Sequence, residues 1–348
     1  MDLTQDEEFK KLDSIGIGTS LTLFPEQIKK TWSDAMASSI SPIECESILI
    51  TGMGGSSNAG KILQSLVEED FKKPITVYND YGLPAWVNEK TLVVANTYSG
   101  NTEETLSGLE IAKKVGAKVL GVTTGGKLAE MIKSGEIPGS IVSAGDTNPS
   151  GFPKSGLGSS LGALAGALVK AGVLNITEAE INLALDELIE IRKTWNAKET
   201  AEWLHGNLPV LFAARPLLGA LNAGRNAMCE ISRNYSQFYE FPEVNHVMVE
   251  AMGKPQAAKE KMRYLFFVSK FNNPRIAVRF KVTGNILKEQ GLEFSHYMLK
   301  ASTKLAQSLE LPHYCAWVGY YLSMLDDTDP GPEPWIIKLK NELSQPVH

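Results

Sequence analysis

Short apolar runs alternate with helical segments in the first half of the chain, and this alternation limits the fold more than any other feature. Helices are predicted near residues 57–69 and 102–115, between apolar runs that have the length of buried strands. Strands separated by helices of about 10–15 residues form parallel sheets with helices on both faces. The predicted strands of this sheet are residues 47–51, 75–78, 91–95, 118–122 and 139–143.

The same order of elements returns in the second half of the chain, after a helical stretch over residues 156–195. Strands are predicted at 208–213, 264–268 and 294–299, and helices at 217–231, 274–290, 302–325 and 335–343. The length of 348 residues fits two domains of about 150 residues each. We therefore predict four regions, and the repeat indicates an old duplication. The regions are a helical preface at 1–45, an α/β domain at 46–155, a helical connection at 156–200, and a second α/β domain with a C-terminal helix at 201–348.

Composition excludes several classes of function. The chain has 34 Lys and Arg residues against 40 Asp and Glu residues, a net charge of −6, so it lacks the positive charge expected of nucleic-acid binders and anionic-membrane binders. Its three cysteines, Cys45, Cys229 and Cys315, are widely spaced and match no disulfide framework or zinc motif. No signal peptide or membrane-spanning stretch is recognisable, and we expect a cytoplasmic protein.

A glycine-rich loop follows the first predicted strand, with the sequence Gly-Met-Gly-Gly-Ser-Ser at 52–57. Glycines let a backbone approach a ligand closely, and the helix that starts here offers unpaired N–H groups and the positive end of its dipole. The loop matches neither the phosphate-binding loop of nucleotide hydrolases nor the dinucleotide fingerprint. Taken alone, it is either an anion-binding loop or a tight turn between a strand and a helix.

A second loop, at 97–104, has three hydroxyl side chains around one glycine just before a helix: Thr97, Ser99 and Thr102. Hydroxyls and the N-terminal amides of a helix can together bind a phosphate group without an arginine. The alternative is helix capping by Asn101 or Thr102, which is compatible with phosphate binding. Because both loops follow the carboxyl ends of neighbouring strands, where α/β sheets bind ligands, we expect a phosphorylated ligand.

The two loops resemble those of the sugar isomerase (SIS) domain, which binds phosphosugars. Three further features resemble the bifunctional phosphoglucose/phosphomannose isomerases of archaea and bacteria: Glu230, the Phe-Pro-Glu-Val-Asn-His segment at 241–246, and the Leu-Lys pair at 339–340. The resemblance covers nearly the whole chain. It implies two tandem SIS domains, each a parallel sheet flanked by helices in a flavodoxin-like three-layer sandwich.

The resemblance also implies an activity. A member of this family is an aldose-ketose isomerase that binds a hexose 6-phosphate. It interconverts glucose 6-phosphate and fructose 6-phosphate, and mannose 6-phosphate is its second aldose substrate. The reaction needs opening of the sugar ring and proton transfer between C1 and C2 through an enediol. It requires no metal or organic cofactor, and the implied enzyme is a homodimer.

Roles for particular residues follow from the same resemblance. It assigns Glu230 as the proton-transfer base, His246 as the ring-opening group supplied by the neighbouring subunit, and Lys340 as a supporting group. Each has a simpler interpretation: a solvated glutamate, a histidine that caps a helix, and a solvated lysine beside Lys338. The residues that would hold the substrate are Gly54, Gly55, Ser56, Thr97, Ser99 and Thr102.

One position departs from the family pattern. An arginine that contacts the substrate usually follows a proline before the small-residue helix, and Lys154 takes its place in the sequence Gly-Phe-Pro-Lys-Ser. Lysine keeps the positive charge but loses the planar fork of the guanidinium. Two alternatives therefore stay open. One is a phosphosugar-binding sensor or regulatory protein without catalysis, and the other is an isomerase of another sugar phosphate.

Overall fold

Two parallel β-sheets lie in residues 7–343, the part of the chain that a computed structural model describes. The first sheet has the strand order β2-β1-β3-β4-β5 and the second has the order β7-β6-β8-β9. Every pair of neighbouring strands is parallel. The strands are β1 (Ser47–Thr51), β2 (Ile75–Tyr78), β3 (Thr91–Thr97), β4 (Lys118–Thr123), β5 (Gly139–Ile141), β6 (Leu208–Ala213), β7 (Gln237–Glu240), β8 (Met262–Val268) and β9 (Phe294–Met298).

Helices cover the sheets and join them. Within residues 7–343, no helix is both long enough and apolar enough to span a membrane. The helices are α1 (Glu7–Leu12), α2 (Ile17–Thr22), α3 (Phe24–Met36), α4 (Gly54–Val67), α5 (Glu103–Lys114), α6 (Gly126–Lys133), α7 (Leu157–Lys170), α8 (Glu178–Arg192), α9 (Ala197–Leu204), α10 (Leu218–Ala227), α11 (Val244–Val247), α12 (Gln256–Lys261), α13 (Pro274–Glu289), α14 (Lys304–Leu325) and α15 (Pro334–Leu343).

The predicted fold class, two parallel sheets flanked by helices, is confirmed. All seven residues of β3 are buried, which explains why this strand is a continuous apolar run rather than an alternating one. The sequence analysis missed β7, because its Gln-Phe-Tyr-Glu sequence lies at the sheet edge and is only half-buried. Each sheet lies within one of the two predicted domains, whose boundaries stay a prediction.

The two sheets repeat one topology. The order β2-β1-β3-β4 of the first sheet matches the order β7-β6-β8-β9 of the second. In this comparison β1, β2, β3 and β4 correspond to β6, β7, β8 and β9. Helix α4 follows β1, and α10 follows β6, so the two helices are structural equivalents. The sequence analysis inferred such a repeat, and the shared strand order supports a duplication.

The equivalent helices α4 and α10 pack against each other in antiparallel directions. A Cβ atom on Gly219, at the start of α10, would lie 1.9 Å from the carbonyl oxygen of Lys61 in the second half of α4. Further along α10, the side-chain amides of Asn222 and Asn226 both donate to Asn58 Oδ1, at 2.9 and 2.8 Å. The end of α10 therefore lies beside the start of α4.

Helices α3 and α7 also pack closely, and glycines on α7 make this contact possible. On α7, a Cβ atom at Gly162 would lie 2.3 Å from the Ile28 carbonyl oxygen of α3, and one at Gly158 would lie 2.7 Å from the Phe24 carbonyl oxygen. The helices can approach this closely only because these positions carry no side chain. The close packing of α7 on α3 therefore depends on these two glycines. Helix α14, which packs against α10, is buried over nearly its whole length.

Replacing Gly219 by alanine should lower the free energy of unfolding by about 1–3 kcal/mol, because the new methyl group would overlap the α4 backbone. The loss should appear although alanine is the better helix former. Chemical denaturation of both proteins measures the difference. Gly145→Ala is the control, since a Cβ atom there meets open space. Equal stability of the two variants would contradict the backbone contact.

Candidate active site

The glycine-rich loop joins β1 to α4 and touches the next loop along the sheet. Gly54 has a φ angle of +52°, and a Cβ atom on Gly52 would lie 2.6 Å from the Asn96 carbonyl oxygen, so both positions need glycine. Among residues 7–343, no side chain caps the start of α4. Its first N–H groups therefore remain available to an anion.

The second loop, between β3 and α5, is bonded to the first. The Tyr98 N–H donates to Ser56 Oγ at 3.0 Å, and the side-chain amide of Asn96 donates to the Ser56 carbonyl oxygen at 2.9 Å. Ser56 accepts in the first of these bonds, so its hydroxyl proton can be offered to a ligand. The two loops thus form one surface at the carboxyl ends of β1 and β3.

The hydroxyl groups of the second loop do not cap α5. Thr102 occupies the N-cap position but makes no side-chain capping bond, and its Oγ1 lies 2.7 Å from Thr97 Oγ1. The capping interpretation therefore does not account for these hydroxyls. Gly100 has a φ angle of +72°, and a Cβ atom there would lie 1.7 Å from the Gly125 carbonyl oxygen. The loop conformation consequently depends on this glycine.

Lys154 lies in a short 3₁₀ turn, Pro153–Ser155, next to the first loop. A Cβ atom on Gly55 would lie 3.3 Å from the Pro153 carbonyl oxygen. The Lys154 side chain is only 1% exposed; its Nζ donates to the Gly331 carbonyl oxygen at 2.8 Å and lies 3.3 Å from Glu333 Oε1. Burial lowers the pKa of Lys154, although the carboxylate of Glu333 opposes that shift.

Glu230 lies in a π-helical turn, Met228–Ser232, that directly follows α10. The sequence analysis predicted one continuous helix here. Local π-helical turns often mark functional sites. Burial, reinforced by the negative charge of Glu333, raises the pKa of Glu230 to about 7, against the opposing charges of Lys154 and Arg225. A carboxyl group with a pKa near neutrality can both accept and return a proton.

The packing of α10 on α4 explains why the turn that carries Glu230 lies near the glycine-rich loop. Because the two helices run antiparallel, the turn after α10 lies beside the start of α4. The structure thus brings four predicted site elements to one place: the first loop, the second loop, Lys154 and Glu230. Sequence reasoning missed Arg225 and Glu333, which also act on Glu230. Neither stands in a motif, and only the three-dimensional structure shows their proximity.

His246 is not part of this group within one chain. It lies in α11, which follows the carboxyl end of β7, and its side chain is exposed. Glu230 follows α10, a helix of 10 residues. This helix starts at the carboxyl end of β6 and runs toward the amino end of the strands. At a rise of 1.5 Å per residue, α10 alone separates the two ends by about 15 Å. The two predicted catalytic residues therefore lie at opposite ends of the second sheet.

Lys340 is also separate from the site contacts described above. It lies in α15, in which every residue is exposed. The same helix exposes large apolar side chains, including Trp335, Ile337 and Leu339. Its neighbour Lys338 pairs with Glu342 at 3.8 Å.

A cavity of about 510 Å³ lies at the other end of the α4–α10 pair. Its three carboxylates belong to Glu68, Glu240 and Glu243, against the two cations Lys61 and Arg215, and Arg215 is paired with Glu68 at 2.8 Å. This excess of negative charge disfavours a phosphate group. None of the predicted site residues lines the cavity.

Comparison with known proteins follows the same division of the chain. The SIS domain family matches residues 43–131, and the family described as bacterial phospho-glucose isomerase C-terminal SIS domain matches residues 193–343. A bifunctional phosphoglucose/phosphomannose isomerase of Caldicellulosiruptor bescii is 30% identical over 334 residues, covering 92% of this chain and 97% of that protein. Its namesake from Aquifex aeolicus is 31% identical, covering 90% of this chain and 94% of that protein.

A solved structure has the same fold at low sequence identity. The C-terminal domain of glucosamine-fructose-6-phosphate aminotransferase from Francisella tularensis superposes with a TM-score of 0.72 and 15% identity. The match covers 95% of this chain and 100% of that chain. The arrangement of the two sheets is therefore shared far beyond the closer relatives.

Thr97→Val should weaken binding of inorganic phosphate about tenfold, because it removes a hydroxyl from the second loop and keeps the side-chain volume. Isothermal titration calorimetry measures the change. Thr105→Val is the matched control: that hydroxyl is buried in α5 and has no hydrogen-bond partner among residues 7–343, so phosphate binding should not change. Equal phosphate affinity of Thr97→Val and the unmodified protein would exclude this loop from anion binding.

Proposed function

This chain belongs to the bifunctional phosphoglucose/phosphomannose isomerase family, and we propose that it interconverts glucose 6-phosphate and mannose 6-phosphate with fructose 6-phosphate. The observation that carries the proposal is the position of Glu230. A half-buried carboxyl group with a pKa of about 7 follows α10, whose end is hydrogen-bonded to the start of α4, and this carboxyl group interacts with Lys154 next to the glycine-rich loop. Aldose-ketose isomerisation needs such a group next to an anchored phosphosugar.

In the proposed mechanism, the two loops bind the phosphosugar. The N–H groups at the start of α4 and the hydroxyls of Ser56, Thr97, Ser99 and Thr102 face the anionic substrate. Gly54 and Gly55 let the backbone approach it closely. Lys154 lies in the turn that contacts the first loop, with its ammonium group on Gly331 and Glu333. Together these groups fix the sugar so that C1 and C2 lie near Glu230.

Glu230 then moves the proton. As a carboxylate it takes the proton from one of the two carbons and gives an enediol, and as a carboxylic acid it returns the proton to the other carbon. The reaction runs in both directions, so the group must work in both states. A pKa near neutrality keeps the two states within easy reach of each other at physiological pH.

We propose that ring opening depends on the partner subunit's His246 in a homodimer. An imidazole can both accept and donate a proton, which suits this step. The support is the distance within one chain, because α11 and the turn of Glu230 lie at opposite ends of the second sheet. Lys340 is proposed to assist at the oxygen that gains negative charge. We further propose that the enzyme works in the cytoplasm.

Glu230→Gln should lower kcat for fructose 6-phosphate by about 10²–10⁴-fold, since the amide keeps the shape but cannot carry the proton. Two coupled spectrophotometric assays measure the formation of glucose 6-phosphate and of mannose 6-phosphate from fructose 6-phosphate. Glu202→Gln is the control, because that side chain is exposed on α9. Full activity of Glu230→Gln would overturn the assignment. Binding of hexose phosphates without turnover by the unmodified protein would favour a sensor instead.

A mixture of two inactive variants tests the homodimer. When Glu230→Gln and His246→Gln chains are unfolded together and refolded, half of the dimers pair one chain of each kind. Each mixed dimer has one site with both groups intact, so about a quarter of the unmodified activity should return. Each variant refolded alone is the control. No gain of activity in mixed dimers, separated by two affinity tags, would show that His246 does not act across the interface.

A further inference from the structure

The link between α14 and α15 folds over the candidate active site. We call residues 329–333 the closing segment. Arg233, which ends the π-helical turn of Glu230, donates to the carbonyl oxygens of Asp329, at 2.6 Å, and Pro332. A Cβ atom on Gly331 would lie 2.6 Å from Ile15 Cγ1, so the segment also packs against the start of the chain. The closing segment is therefore fixed on two sides.

Lys154 is bound to this segment rather than exposed to solvent. Its ammonium group donates to the Gly331 carbonyl oxygen at 2.8 Å and lies 3.3 Å from Glu333 Oε1. The two side chains are 1% and 16% exposed. Charges buried to this extent depend on each other, because water cannot replace either partner. The Lys154 ammonium is therefore held by one carbonyl oxygen and one carboxylate of the closing segment.

The charge of Glu230 depends on the same pair. The charged groups that act on Glu230 are Lys154 of the 3₁₀ turn, Arg225 of α10 and Glu333 of the closing segment. Arg233 acts on Lys154. Of these, Glu333 supplies the negative charge. It raises the pKa of Glu230, while Lys154 and Arg225 lower it.

We propose that Glu333 is a positioning residue of the isomerase site. Its carboxylate holds the Lys154 ammonium on the closing segment and weakens the attraction between that cation and the Glu230 carboxylate. The inference rests on the proposed isomerase function and deepens it. Lysine carries a compact charge that one carboxylate and one carbonyl oxygen can hold, whereas an arginine fork would need a wider set of acceptors. Glu333 and Lys154 therefore act as a unit in this chain.

Glu333→Gln tests the role because it keeps the side-chain shape and removes the charge. Glu230 then loses a repelling neighbour, and Lys154 acts on it more strongly, so its pKa should fall. The acidic limb of the pH profile of kcat/KM should shift toward lower pH by about 0.5–1 pH unit. The variant should lower kcat by a larger factor than it changes KM. Glu333→Asp, which keeps the charge, should restore most of the profile. Glu342→Gln, which removes an exposed charge from α15, should leave the profile unchanged.

A measurement without turnover separates this inference from the proposed function. Because the folded state raises the pKa of Glu230 above its ordinary value near 4.5, the folded state binds the extra proton, and the stability that this group contributes falls as pH rises. The difference in unfolding free energy between the unmodified protein and Glu230→Gln should decline from pH 4.5 and level off near pH 7. On the Glu333→Gln background, the decline should end at a lower pH.

The outcomes are distinct. An unmodified protein without turnover overturns the proposed function, and the stability series still tests Glu333. An unchanged kcat/KM profile and an unchanged stability window in Glu333→Gln overturn the positioning role. If Glu333→Gln does not fold, Lys154→Met tests the pair from its other side. Removal of the cation should move the decline in stability to higher pH, and a shift to lower pH would contradict the proposal.

Discussion

The antiparallel contact between α4 and α10 is the constraint on which the candidate active site depends. Gly219 lets the two backbones meet, and the Asn58 side chain ties the helices together through two amides. Because each helix starts at the carboxyl end of a strand in its own sheet, antiparallel packing joins the start of one helix to the end of the other. The site is therefore composite: its anion-binding loops come from the first sheet and its proton-transfer group from the second.

The same contact explains why a repeated fold has one site rather than two. The repeat produces two composite ends, one beside Glu230 and one at the 510 Å³ cavity. Only the first has a glycine-rich loop and a neighbouring hydroxyl loop. The second has Ala-Arg-Pro after β6, where the first has Gly-Met-Gly after β1, and it is lined by three carboxylates. Residue type at the two helix starts, rather than topology, decides which end can bind a phosphate group.

The fold was predictable from the sequence because its signals are local. Apolar runs such as residues 91–95 and 264–268 are fully or largely buried strands, and glycines at 52 and 100 stand where close backbone contacts require them. The signals that failed are those that depend on distant partners. The edge strand β7 has no apolar run, and the ammonium group of Lys154 contacts residues about 180 positions later in the chain. A sequence motif carries no information about such a pairing, so Glu333 could be recognised only in the structure.

The exposed parts of the chain fit an assembly of two subunits. His246 lies on the surface at one end of the second sheet, and α15 exposes Trp335, Ile337 and Leu339 beyond the closing segment. A folded chain rarely leaves such apolar groups in water without a partner surface. The proposed homodimer accounts for both features, because a second copy can bring a histidine to the site and cover an apolar helix. Residues 329–333 join that helix to the partners of Lys154, so the apolar helix and the charged groups around Glu230 lie on one continuous stretch of chain.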